Sequence, residues 1–206
     1  MPKPADQPTI EEVVRFHGHC CPGLALGFRV ATLALERLRG SRAEDEEMVA
    51  VVENDSCAVD AIQVVTGCTF GKGNFLYYPY GKHVYTFYRR ATGEGIRIAE
   101  EYRGFEEDPT FGVLRQRVSS GQATPGEQAD FRVKMRAKTE AILAAPAEEF
   151  LTITSAHHPM PAHARIESSE RCADCQETVM ASHLVEAHGK KLCQECATHP
   201  AAHPLR

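Results

Sequence analysis

The residues best suited to chemistry are cysteines and histidines in tight groups. Near the C-terminus, Cys172-Ala-Asp-Cys175 is followed by seventeen residues and then Cys193-Gln-Glu-Cys196. Two such knuckles are a zinc signature. Each presents two thiolates about 3.5 to 4 Å apart, the edge of a tetrahedron with Zn–S near 2.3 Å. A segment of about 35 residues cannot bury a core of its own, so the metal supplies its folding energy. A closed four-cysteine site leaves no open position, and the reading is structural Zn2+. His183 and His188, between the knuckles, read as surface residues.

A second group stands near the N-terminus, where "FHGHCCPG" packs His17, His19, Cys20 and Cys21 ahead of an apolar helix. Unsatisfied N–H groups at a helix start favour negative charge, which stabilises a thiolate there. Mixed imidazole and thiolate ligands suit zinc, iron or another first-row metal. Cys57 repeats the design. It follows a strand and sits in the first turn of its own helix, where a lowered pKa is expected. The candidate front ligands are His17, His19, Cys21 and Cys57, holding a second Zn2+ or other transition metal; Cys20 reads as a small packing residue.

Asp60 falls on the same helix face as Cys57. Cys68 lies eleven residues beyond Cys57. In a continuous helix, at 1.5 Å per residue, the two sulfurs are about 15 Å apart and share no metal. Glycines 67, 71 and 73 around Lys72 suggest an anion-binding loop, but the spacing is not that of a Walker A motif. A turn packed near the thiols is the plainer reading.

These residues need elements to position them. Thr9 with Glu12 forms a capping-box signature for a short helix over about residues 10–16. Leu24, Phe28, Ala31, Leu35 and Leu38 recur at helical spacing after Pro22-Gly23, and Gly27 permits close packing. "MVAVVEN" reads as a buried strand, and "SCAVDAIQVVTG" as a helix capped by Asp55 or Ser56. "NFLYYPY" and "HVYTFYRR" suggest a hairpin about Pro79–Lys82. "GIRIAEEY" and "FLTITSA" are further strands, with helices between them near 110–119 and 124–145. Mixed order without regular βαβ alternation predicts an α+β fold: a mixed or antiparallel sheet with flanking helices. The domain expectation is a core over 1–156, a polar linker over 157–170 and a zinc finger over 171–206.

The hydrophobic fraction of 43% is enough for a real core, and the net charge of -5 speaks against a protein that neutralises phosphates. In the tail, Arg171, Lys190, Lys191 and Arg206 are cancelled by Asp174, Glu177, Glu186 and Glu195, so no nucleic-acid partner is expected. No apolar run spans a bilayer and no leader stands at the start, which predicts a cytosolic protein with no membrane partner.

"FHGHCCPGLALGFR", "DSCAVDAIQVVTGCTFGKGN" and "YGKHVYTFYRRATGEGIRI" together resemble the FmdE family, which takes its name from a component of formylmethanofuran dehydrogenase. The match covers roughly the first 150 residues. The family's first motif falls on His17, His19, Cys21 and Gly23, with Cys20 at its variable position. Its second falls on Cys57, Asp60, Gln63, Cys68 and Lys72. The resemblance implies an α+β core, often a homodimer, with a metal-capable pocket near these residues. Some members carry a C-terminal treble-clef zinc finger, with "HGKKLC" here as the hairpin leading into the second knuckle. The expected function is a metal-binding accessory of a molybdenum or tungsten oxidoreductase, or a metal-trafficking protein. The alternative is a metal- or thiol-dependent enzyme on a small anionic substrate. In it, Cys57, Asp60, Cys68 and Lys72 are the candidate catalytic residues, with His17 or His19 as ligand or base.

Overall fold

A computed structural model describes residues 7–101, 109–187 and 189–199. The chain divides into two compact units, 1–163 and 164–206.

The first unit is a five-stranded sheet backed by helices. α1 (Ile10–His17) begins with the capping box: Thr9 accepts from the Glu12 N–H, and the Glu12 carboxylate accepts from the Thr9 N–H at 2.7 Å. It ends at Gly18, whose φ of 96° is the left-handed conformation that favours glycine. α2 (Pro22–Arg37) starts on Cys21 with Pro22 in the first turn. It is buried on most of its circumference, through Leu24, Leu26, Val30, Leu33 and Leu35 among others. Such a helix belongs inside the core, and α3 (Ala58–Thr66) lies against it. The contact needs Gly27, because a Cβ there would stand 2.2 Å from the Ala58 carbonyl oxygen. Polar Arg29 is drawn inward too. Its guanidinium donates to the Ile142 and Leu143 carbonyls at the end of α5 (Pro125–Ala144) and lies 5.7 Å from the Phe150 ring centre.

The strands are β1 (Met48–Val52), β2 (Phe75–Tyr77), β3 (Val84–Arg89), β4 (Gly95–Glu100) and β5 (Leu151–Ser155). Their order is β2-β1-β3-β4-β5; β1 and β2 are parallel and the other pairs antiparallel. This corrects the expected hairpin. β2 and β3 do not pair, because apolar β1, buried along its whole length, lies between them. The Pro79–Lys82 turn therefore crosses the end of β1, where the Tyr78 N–H donates to the Val52 carbonyl and the Lys82 N–H to the Glu53 carbonyl. The hairpin is β3–β4 instead. α4 (Pro109–Ser119) and α5 follow close to the expected positions. Tyr102, at the end of the expected "GIRIAEEY" strand, lies outside the described residues.

Alternation along β1 divides two layers. Met48, Ala50 and Val52 join the helix-backed core, while Val49 and Val51 meet Tyr88 on the other face. Residues 156–163 cover that second face. Ala156 and Met160 pack on it, the Tyr88 hydroxyl donates to the His158 carbonyl, and Arg90 donates to the Pro161 and Ala162 carbonyls.

The second unit holds two hairpins and a short helix: β6 (Ser169–Arg171) with β7 (Thr178–Met180), β8 (Val185–Ala187) with β9 (Lys190–Leu192), and α6 (Gln194–Thr198). Its buried residues are Cys172, Cys175, Leu192 and Cys196, so the thiols themselves occupy the place of a core. His183 is exposed; His188 and residues 200–206 lie outside the described residues.

Candidate metal centres

Three helix ends build the front centre. His17 is the last residue of α1, Cys21 is the N-cap of α2 and Cys57 is the N-cap of α3; His19 lies in the link from α1 to α2. One ligand atom from each of His17, His19, Cys21 and Cys57 comes within 4.8 Å of all the others. That is the spacing of a shared ion's first shell. Gly23 permits the approach, since a Cβ on it would stand 3.3 Å from the Cys57 Cβ.

His17 shows how the centre is aimed. Its Nδ1 lies 2.7 Å from the Asp60 carboxylate, which fixes the ring. Its Nε2 is buried and has no hydrogen-bond partner. A buried polar atom without a partner is costly, and an imidazole held by a carboxylate through one nitrogen and open at the other is the usual posture of a metal ligand. The His19 ring lies 4.5 Å from that of His17, centre to centre. The Cys21 sulfur accepts the Leu24 N–H at 3.4 Å.

Cys57 differs from expectation. It is itself the N-cap, with no side-chain cap bond; Ser56 is turned instead toward Asn54, donating to its Oδ1 at 2.7 Å. Burial raises the Cys57 pKa, and neighbouring Cys21 raises it further. Burial first, and then the neighbouring sulfur, outweigh the stabilisation that a helix start gives a thiolate at Cys57. Cys20 is exposed rather than packed.

The remaining candidates go elsewhere. α3 runs unbroken from Ala58 to Thr66, and Cys68 lies beyond its far end, fully buried among apolar residues. Burial pushes its thiol up to about 11. The Lys72 ammonium donates to the Glu44 carbonyl at 3.1 Å and the Ala43 carbonyl at 3.4 Å. Thr69 caps the short turn at Phe70–Lys72, and the buried Asn74 side chain bonds the Asp45 and Met48 carbonyls and the Thr69 N–H. The glycine-lysine loop closes the chain on itself. Asp60 reaches the front centre through His17, a partnership with a helix 43 positions away that the α3 pattern did not reveal.

In the tail, one sulfur from each of Cys172, Cys175, Cys193 and Cys196 lies within 4.8 Å of the others. Backbone N–H groups point at the sulfurs, from Asp174 and Cys193 to Cys172 and from Cys196 to Cys193. Burial opposes ionisation of Cys172, but these N–H bonds outweigh it and bring its pKa down to about 6. Burial and the neighbouring thiols push Cys196 up. The Cys172 thiolate forms readily while Cys175 and Cys196 resist ionisation without a cation, which is the electrostatic condition of a zinc-finger-like site. Gly189 turns the β8–β9 hairpin at φ 72°, and β9 delivers the second knuckle.

Fold and sites define a two-unit α+β protein with one mixed imidazole–thiolate cluster and one four-thiolate cluster. The family model described as "FmdE, Molybdenum formylmethanofuran dehydrogenase operon" matches residues 16–152, and the chain belongs to that family. It is 29% identical over 189 residues to a probable S-adenosyl-L-methionine-binding protein of Archaeoglobus fulgidus. That match covers 88% of this chain and spans half the length of the relative. In fold, it is similar to the crystal structure of a tungsten formylmethanofuran dehydrogenase FmdE-like protein from Syntrophus aciditrophicus, with a TM-score of 0.61 at 22% identity. The superposition covers 94% of this chain and 92% of that one.

Proposed function

We propose that this chain is a metal-binding accessory protein of a molybdenum or tungsten oxidoreductase. Its front tetrad holds Zn2+ or another first-row transition ion, and its tail holds a structural Zn2+. The observation that carries the reading is His17, clamped by Asp60 at one nitrogen and buried without a partner at the other. An ion accepting that lone pair relieves the orphaned atom. Two thiolates and two neutral imidazoles neutralise a divalent ion, which suits retention or hand-over of metal. Family membership supports the oxidoreductase association, and the tail offers a docking module. Among the described residues, no helix is long and apolar enough to cross a membrane. The working form is a homodimer, as is common in the family.

The test is native capture of the full chain, with molybdenum and tungsten measured in the captured fraction. The expected result is stoichiometric recovery of one of these elements with its oxidoreductase, and its loss with His17→Ala. Recovery of the protein alone would overturn the accessory role.

A further inference from the structure

A cleft of about 330 Å³ opens beside the front tetrad. Gly23 and Ser56 line it, and these residues stand two positions after Cys21 and one before Cys57. Its volume is at the lower end of small-molecule sites. At about 30 Å³ per water-sized group it takes roughly ten non-hydrogen atoms.

The lining combines three chemistries. Arg115 of α4 and Lys138 of α5 line the cleft together with Pro22 and Gly23 at the start of α2. A guanidinium fork matches a carboxylate, and a helix start adds positive potential. Leu26 and Ile142 present hydrocarbon. Glu100 and Glu101, at the end of β4, are hydrogen-bond acceptors; His83 Nδ1 lies 3.2 Å from Glu100, and the Thr152 hydroxyl donates to Glu101. A simple inorganic anion leaves the apolar surface and the carboxylates unused.

We propose that this cleft binds a small organic acid that also carries a hydroxyl or amino group. The carboxylate meets Arg115 and Lys138, the short carbon chain lies on Leu26 and Ile142, and the donor faces Glu100 and Glu101. The functional sense of the cleft rests on the metal reading, since a ligand against Gly23 and Ser56 lies beside the residues proposed to hold the ion.

The test uses the metal-loaded full chain, followed by amide NMR while 3-hydroxybutyrate, butyrate or inorganic phosphate is added, with metal content measured on the same samples. The expected result is a saturable shift of the Gly23 and Ser56 signals with 3-hydroxybutyrate, and binding several-fold weaker for butyrate and phosphate. Arg115→Gln and Lys138→Gln should each weaken it about tenfold, the loss of one charge-assisted bond. Arg117→Gln, whose guanidinium lies 2.9 Å from Glu127, serves as the control and should bind as wild type. No saturable shift, equal response to phosphate, or binding unchanged in the double Arg115→Gln, Lys138→Gln variant would overturn the proposal. Metal retained without ligand binding sinks the cleft alone; ligand binding without metal sinks the metal reading alone.

Discussion

Asp60 reaches the front centre only through the His17 ring, so its value lies in orientation. Asp60→Ala should lower front-site metal affinity by about 10- to 100-fold, the usual cost of losing such a partner. Asp60→Asn, which still accepts the Nδ1 proton, should fall between; a chelator competition measures both. Cys68 makes a different prediction. Its folded pKa of about 11 lies above its ordinary 9.0, so the buried neutral thiol stabilises the fold fully below pH 9. That contribution, about 3 kcal/mol, disappears as pH rises through about 11. Urea unfolding between pH 8 and 11 should show the loss, and Cys68→Ala should flatten it. At this scale the sequence was most legible where residues are crowded, as in "HGHCC" and the two knuckles. It was least legible where a partner lies across the fold. Nothing in the α3 pattern shows that Asp60 faces α1 rather than Cys57, and nothing near Lys72 shows that its ammonium is taken by backbone carbonyls.

At the scale of elements, α2 against α3 sets the geometry, because it brings the starts of two helices, and so Cys21 and Cys57, to one place. Gly27→Ala would force its new Cβ into the Ala58 backbone, which cannot give way as a side chain end would. The expected cost is about 1–3 kcal/mol by urea unfolding, with weakened front-site metal binding because Cys57 moves with Ala58. Close packing at Gly27 was readable, since a glycine inside a strong helix calls for a reason. The capping box at Thr9 and the starts of α2 and α5 were readable for the same kind of local cause. The partner of β2 was not. A turn of Pro79–Lys82 closes a hairpin or steps over one strand equally well, and only the fully apolar faces of β1 decide that it steps over. Cys57 as cap rather than first-turn residue is a shift of one position, decided by Ser56 turning to Asn54.

At the scale of the molecule, the two units rest on different physics. The first has a two-layered apolar core around β1 and α2. The second has three buried cysteines and one leucine where a core would be, with Cys193 packed against them, so its stability is expected to follow a metal held there. Composition, an apolar stretch followed by a polar, cysteine-marked tail, suggested boundaries at 156 and 171, whereas the chain divides between 163 and 164. Residues 157–163 read as open linker because they are polar and proline-containing. Their backbone carbonyls, which no side-chain pattern reports, are what Tyr88 and Arg90 use to hold them on the sheet. Two separate clusters, each able to hold an ion, predict two metals, and metal per folded chain tests this most directly. Elemental analysis should find two ions in wild type. Cys57→Ser should lose one and keep the tail folded, and Cys172→Ser should lose the other and keep the first unit folded. A wild-type protein with only the tail ion, or a Cys57→Ser variant that still holds two, would contradict the front centre.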